Sequence, residues 1–383
     1  MDFDLTKEQV MFRDMAREFA EREIKPVIRQ YDREERFPDE IYKKMAPLGL
    51  LGTVIPEEYG GLGVDYITHA LICEQLAQGS YEVAAVVGGG VLPGIPILKF
   101  GTEAQKQKYL PALCNGEKLF CVSAVEPNSG SDPGAIETTA VLDGDEWVIN
   151  GTKTWATTGG IADVIMVLVQ ADKSKGAGGL TVFLVEKGTP GVSTNDIKHK
   201  LGQRASNAAQ IRFVDCRIPR ENLLGEVGKG LTISLTGIGD MRYTIAASTV
   251  GMAQSCLDAC VSYAKQRQQF NRPIGSFQLV QGMLADMAVQ IEAARYLVYH
   301  AGYLKDKGLP NRKEVAIAKL FATEMAVRIT TEAIRLHGAY GYTDDLPIER
   351  YHRTSIGATI YGGTSEIQRL TIGRELLDIS AFT

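Results

Sequence analysis

The side chains able to do chemistry in this sequence are first narrowed by what their spacing excludes. The nearest approach to a dinucleotide-binding loop is Gly88-Gly89-Gly90, with Gly94 four residues further on. That spacing is wrong for the glycine fingerprint, and no β-α unit precedes it, which argues against a Rossmann site. No GxSxG elbow, HExxH pair or P-loop occurs. His69, His199, His300, His337 and His352 lie far apart without metal-ligand spacing, so no metal site is expected. Six cysteines (73, 114, 121, 216, 256, 260) form no CxxC and no staple-like framework, which suits free thiols in a reducing compartment. Tyr243 and Tyr361 could be acids or orienting hydroxyls, but a phenol pKa of about 10 makes a poor base. Thr364 and Glu366 open the last predicted helix, where free N–H groups favour an anion; ordinary capping is the alternative.

These residues must be positioned by 383 residues, 45% hydrophobic and 23% charged, a length that suggests two or three domains. The 41 basic and 46 acidic residues leave a formal charge of −5, against the basic face that nucleic-acid binding needs. No apolar run approaches the ~18 residues of a membrane span. The opening Met1-Asp2-Phe3-Asp4 resembles neither a signal peptide nor a transit sequence, so a cytoplasmic protein without membrane or nucleic-acid partners is expected. Apolar residues at 11, 12, 15, 16 and 19 make a helical stripe over 5–25, with Thr6 and Gln9 as a capping box and Pro26 as its stop. Further helices are expected from Pro38-Asp39, over 64–78 and over 102–114. After Gly116 come strand-like runs at 120–125, 138–142, 147–150, 164–170, 180–185 and 210–214, with Asp143-Gly144 and Asn150-Gly151 as hairpin turns. From about Gly228 the helical period returns over 230–265, 275–307, 312–338 and 364–377. The expected fold class is α+β: an N-terminal helical domain (1–116), a middle antiparallel β-barrel domain (117–227) and a C-terminal four-helix bundle (228–383).

Five longer motifs, in order along the chain, resemble those of the acyl-CoA dehydrogenases. They are Glu126-Pro-Asn-Ser-Gly-Ser-Asp132, Asn150-Gly-Thr-Lys-Thr-Trp-Ala-Thr157, Arg267-Gln-Gln-Phe270, Leu336-His-Gly-Ala-Tyr-Gly-Tyr342 and Tyr361-Gly-Gly-Thr-Ser-Glu-Ile-Gln-Arg369. The resemblance covers essentially the whole chain. It implies FAD as cofactor, an acyl-CoA thioester as substrate, a homotetramer, and an electron-transferring flavoprotein as electron partner. It places Val122, Ala124 and Val125 on the strand whose backbone meets the flavin, with Trp155 and Thr157 against the ring. Barrel core is the alternative for Trp155. Val125 stands where the family usually carries a hydroxyl, so one hydrogen bond of about 1 kcal/mol is expected to be missing. Arg267, Gln269 and Phe270 would reach a neighbouring subunit's FAD. Arg335 and Gly338 would lie near its diphosphate, where arginine can bond phosphate bidentately. Thr364 and Glu366 complete the cofactor set. On the substrate side the resemblance aligns Ser131 with a pantetheine contact and Arg242 with a helix arginine associated with the CoA phosphates. A solvated face is the alternative for Arg242. Met241, Tyr361 and Gly363 belong to the same side, and Gly88, Gly89, Gly90 and Val91 form the wall that closes the acyl pocket.

The main departure is Gly362, which stands where most of the family keeps the glutamate that removes the α-proton. Some members carry the base instead on the first bundle helix, where this chain has Met241. A positioned carboxylate contributes about 10²–10⁴-fold, so its loss bears on the reaction itself. Asp240 and Glu82 are the carboxylates considered as replacements, Asp240 also being a candidate N-cap or CoA contact. Three glycines in the wall suggest a bulky or cyclic acyl group, unless they form a flexible turn. Lys198-His199-Lys200 replaces acidic residues that commonly help dock the electron-transferring flavoprotein, although a solvated basic run explains it as well. Three functions stay open: an acyl-CoA dehydrogenase or reductase, a redox-silent lyase on an acyl-CoA (desulfinase-like or decarboxylase-like), and a non-catalytic flavoprotein subunit.

Overall fold

The computed structural model describes residues 4–381, so Met1-Asp2-Phe3 of the opening segment lies outside them. The chain starts with α1 (Lys7–Phe19), whose capping box is complete: Gln9 N donates to Thr6 Oγ1 at 3.1 Å and Thr6 N to Gln9 Oε1 at 3.0 Å. A π-helical turn over Ala20–Ile24 carries it to α2 (Ile28–Glu34) and α3 (Asp39–Met45). Then come α4 (Tyr66–Gly79), capped by Asp65, and α5 (Tyr81–Phe100), capped by Ser80. A second capping box at Thr102 opens α6 (Glu103–Cys114).

The glycine run Gly88-Gly89-Gly90 is neither loop nor flexible turn. It lies inside α5, which also contains Pro93 and Pro96. Such a composition is poor in intrinsic helix propensity, and packing overrides it. At Gly90 a Cβ would stand 2.1 Å from Leu51 O, so only glycine lets α5 rest on that backbone; at Gly88 it would meet Thr244 Cγ2 at 3.1 Å. The expectation that no run approaches membrane-span length is corrected by the same helix. Tyr81–Phe100 is long and apolar enough by length and composition, with 61% of that window buried inside the fold.

The middle region holds β1 (Phe120–Ser123), β2 (Thr139–Asp143), β3 (Glu146–Thr157), β4 (Val164–Gln170), β5 (Leu180–Glu186), β6 (Val192–Asp196), β7 (Ala208–Pro219) and β8 (Leu223–Leu224). They form one eight-stranded sheet in the order β6-β7-β3-β2-β4-β5-β8, with β1 joined to β4. The sheet is mixed rather than purely antiparallel, because β1 runs parallel to β4 and β2 meets β4 parallel at Thr139–Gln170. The central strands β4 and β5 are buried almost throughout, which explains their unbroken apolar runs. Asn150-Gly151, read as a turn, instead sits inside β3 at a register shift against β7. The exposed, polar β6 carries no alternating apolar signal and escaped the sequence reading.

The C-terminal part is helical: α7 (Gly230–Gln266), α8 (Gln278–Asp306), α9 (Arg312–His337), the short α10 (Ile348–Ala358), which the sequence did not reveal, and α11 (Ser365–Leu377). The 37-residue α7 packs on α4, α5, α8 and α9, so one core joins the N-terminal and C-terminal helices. All six cysteines are buried, unpaired thiols.

Candidate active site at the Gly362 turn

The connection from α10 to α11 places Gly362 and Gly363 in left-handed conformations, φ 68° and 90°. Such geometry favours glycine. The carbonyls turn inward onto donors from three helices. Arg242 Nε of α7 donates to Gly362 O at 2.6 Å, and Lys319 Nζ of α9 to Gly363 O at 2.9 Å. Gln368 Nε2 of α11 reaches Gly363 O at 2.9 Å and Gly362 O at 3.3 Å. A Cβ on Gly362 would point at α7, 2.7 Å from Ile245 Cδ1 and 3.3 Å from Met241 Cε. The two positions that the resemblance associates with a base, 362 and 241, are therefore neighbours, and a methyl group lies where they meet. Burial and the nearby Arg312 lower the pKa of Arg242 to about 10.

Tyr361 anchors the front of this turn. Its hydroxyl is 2.6 Å from Tyr81 Oη and accepts from Gln203 Nε2 at 2.5 Å. Gln203 belongs to the segment between β6 and β7, which also carries Asn207, the carbonyl acceptor for Thr158 N at 2.9 Å. One short loop thus links Thr158, just beyond the end of β3, to Tyr361 at the Gly362 turn. Of the two tryptophans, Trp147 is core, with its ring 5.0 Å from that of Phe183. Trp155 is 59% exposed on a backbone with φ 55°, so the barrel-core alternative does not hold for it. A large indole left in solvent on a sparsely populated conformation is the mark of a binding surface. Val122, Ala124 and Val125 are half-buried beside β3, where Val125 O accepts from Thr154 N at 2.8 Å. Glu126 holds the following loop: its carboxylate accepts from Lys153 Nζ at 2.7 Å, Glu137 N at 2.7 Å and Thr138 N at 3.0 Å. Ser131 sits exposed at the tip of that loop. Thr364 is the N-cap of α11, its hydroxyl accepting from Ile367 N at 3.3 Å, and Glu366 is exposed in the first turn.

The wall residues divide. Gly88, Gly90 and Val91 are buried in the packing of α5, whereas a side chain at Gly89 would meet nothing within 4 Å. On α7 a side chain at Gly239 likewise would meet nothing within 4 Å. Asp240, one residue on, turns away into the core: it is buried, 2.6 Å from Lys305 Nζ though off the hydrogen-bond axis. Glu82 lies buried behind Tyr361, accepting from Thr354 Oγ1 at 2.9 Å and Ser80 Oγ at 2.6 Å. Lys198-His199-Lys200 is not a free basic run. Lys198 Nζ donates to Glu35 O at 3.1 Å and Lys200 Nζ to Ser206 O at 2.9 Å, while Lys198 stays about half exposed and the His199 ring protrudes.

The remaining candidates gather elsewhere. Arg267 ends α7, 26 residues beyond Met241, or about 39 Å along the helix axis. There a two-residue hairpin turn puts Phe270 and Asn271 at φ 52° and 59°, and Phe270 is 87% exposed. Such turns favour Asn-Gly, so a phenylalanine there is held at a cost. Gln269 lies exposed in the same hairpin, and the Arg267 guanidinium is 5.9 Å from the Tyr340 ring. Gly338 ends α9 close by, and Arg335 is exposed and paired with Glu332 at 2.6 Å. Sequence reasoning missed Lys319, Gln368, Gln203 and Tyr81. Gln368 lies inside the last of the five motifs, and Lys319 shows in sequence as a charge on the largely apolar face of α9.

Comparisons with known proteins agree with this architecture. Profiles described as the N-terminal, middle and C-terminal domains of acyl-CoA dehydrogenase match residues 6–117, 121–216 and 228–377. A short-chain specific acyl-CoA dehydrogenase of Clostridium acetobutylicum is 43% identical, covering 98% of this chain and 100% of its own. An acryloyl-CoA reductase (NADH) of Anaerotignum propionicum is 42% identical over 98% of this chain and 96% of its own. The structure of a glutaryl-CoA dehydrogenase from Mycobacterium smegmatis with FADH2 superposes with a TM-score of 0.94 at 31% identity, covering 99% and 97% of the two chains. This chain belongs to the acyl-CoA dehydrogenase family, and it is an FAD-dependent oxidoreductase of the kind that acts on CH–CH donors. The exposed Trp155 on its strained backbone, beside the half-buried Val122, Ala124 and Val125, fits an isoalloxazine ring.

Proposed function

We propose that this chain moves hydrogen across the Cα–Cβ bond of a bulky or ring-containing acyl-CoA, without a carboxylate at position 362. FAD, when bound, supplies the hydride acceptor or donor. The rest falls to the chain. Trp155, Thr157 and the β1 strand hold the flavin side, Ser131 and Arg242 meet the thioester's CoA arm, and the clamped Gly362 turn forms the floor. The observation that carries the reading is the bridge from the end of β3 through Asn207 and Gln203 to Tyr361, which supports a cofactor surface lying beside that turn. The open sides of Gly89 and Gly239 support a wide acyl group.

Hydrogen and a thioether methyl occupy the two base positions, and Asp240 is committed to Lys305. The direction that suits such a site is reduction of an unsaturated thioester, in which Cβ takes the hydride and Cα takes a proton from water. The similarity to a protein named acryloyl-CoA reductase favours this direction over the lyase alternative. We also propose a homotetramer, because the Arg267–Phe270 hairpin lies too far from Met241 to serve the same flavin. With the Lys198 and Lys200 ammonium groups bonded to carbonyls, an electron-transferring flavoprotein stays compatible as electron partner.

Anaerobic mixing with a panel of acyl-CoAs tests the reading. Saturated substrates should bleach the oxidised flavin, or unsaturated ones should reoxidise pre-reduced enzyme. A thioester consumed while the flavin stays oxidised throughout would establish the lyase instead.

A further inference from the structure

Lys319 is fully buried at the centre of the bundle, and its ammonium bonds the carbonyl of Gly363. Four other largely buried cations have a carboxylate within 2.6–2.9 Å: Lys153 with Glu126, Arg295 with Glu74, Lys305 with Asp240 and Arg353 with Asp32. The buried Arg350 has no ion pair and bonds Gly79 O at 3.1 Å; Arg242 and Lys319 likewise have no ion-pair partner among the described residues. Both instead point at consecutive carbonyls of one diglycine turn. Burying an unpaired ammonium is costly, so a lysine kept there answers a requirement other than stability. The turn supplies that requirement. Two adjacent glycines carry more conformational freedom than any other pair, and no side chain at 362 ties them down.

We propose that Lys319 is a positioning residue for the acyl site: together with Arg242 and Gln368 it fixes the Gly362-Gly363 turn through its carbonyls and so presents one backbone surface to the thioester. The inference rests on the reading of that turn as the floor of the acyl site. The groups facing the ammonium are Arg242 from α7, Glu324 on its own helix and Glu366 from α11; Glu324 also meets Arg369 at 3.9 Å. Burial first, then Arg242, lowers the lysine to about 8, against 10.5 for a free side chain. The native state therefore releases this proton before the unfolded chain does. Between about pH 8 and 10 the unfolded chain binds more protons at this site, so the site's contribution to stability rises with pH. Over the same interval the ammonium is lost and its hold on Gly363 O weakens.

The two trends run in opposite directions, and a merely structural lysine would not produce both. Lys319→Met and Lys319→Gln, checked for FAD content, should lower kcat on the order of 10-fold at pH 7 with KM changed less than about twofold. Wild-type kcat should fall as pH rises through about 8, and the variants should lack that limb. Independently of turnover, the melting temperature of wild type minus that of either variant should increase from pH 8 to pH 10. A flat melting difference, or variants keeping both kcat and the alkaline limb, would overturn the assignment of Lys319. If no acyl-CoA is turned over or perturbs the flavin while the melting difference still rises, the reading of the acyl site fails instead.

Discussion

At the scale of single residues the molecule turns on Gly362. Its missing side chain does not leave a hole, because Ile245 Cδ1 and Met241 Cε close over the position. A carboxylate restored there must displace the isoleucine tip and accept φ 68°, a left-handed conformation that costs a non-glycine residue about 1 kcal/mol or more. Gly362→Glu combined with Ile245→Val, which removes the clashing methyl, is expected to create or raise α,β-dehydrogenation of a saturated acyl-CoA by about 10²-fold or more. An unchanged rate in a folded, FAD-loaded double variant would mean that position 362 does not face the acyl α-carbon. The departure itself is plain in the sequence. Its consequence is not, since only the packing reveals that positions 241 and 362 share one spot and that Asp240, next in sequence, faces Lys305 across the helix. A 100° turn per residue separates neighbours on a helix by function as well as by direction.

At the scale of elements, α5 best illustrates local preference giving way to packing. Four glycines and two prolines would dissolve an isolated helix. Here Gly90 permits contact with Leu51 O, and Gly88 seats Thr244. Gly90→Ala should therefore destabilise the protein by about 1–3 kcal/mol through overpacking. Gly89→Ala, with open space before it, should stabilise by about 0.5–1 kcal/mol and shift preference toward smaller acyl groups. Denaturant midpoints of the two variants check the account, which fails if both lose stability alike. Strands β4 and β5 were legible because burial on both faces leaves continuous apolar runs. The polar β6 was not, because pairing with β7 rather than composition makes it a strand.

At the scale of the whole molecule, the candidate cofactor residues of the Arg267–Phe270 hairpin stand apart from the rest, Arg267 being about 39 Å along α7 from Met241. Phe270, Leu279, Val289 and Tyr303, in the region beyond Arg267, are exposed large apolar side chains, and the proposed homotetramer would use them as contact surface. Arg267→Ala and Phe270→Ala should weaken FAD retention about tenfold, the equivalent of 1.4 kcal/mol, and lower the assembled fraction in parallel. Sedimentation combined with flavin-to-protein ratio measures both. Isolated monomers that keep a full complement of FAD would refute a shared site.

The five motifs, the helix–sheet–helix order and the absence of a glutamate at 362 were determined by sequence alone, since each is a matter of residue type and local period. The tertiary structure decided which glycines serve packing and which leave space, that Trp155 rather than Trp147 faces solvent, and that Lys319 holds the Gly363 carbonyl. Those features depend on contacts between residues far apart in the chain, 44 positions in the last case, and no local pattern encodes them. A buried lysine reads in sequence as one charge on an apolar face; only the carbonyl opposite shows what it holds.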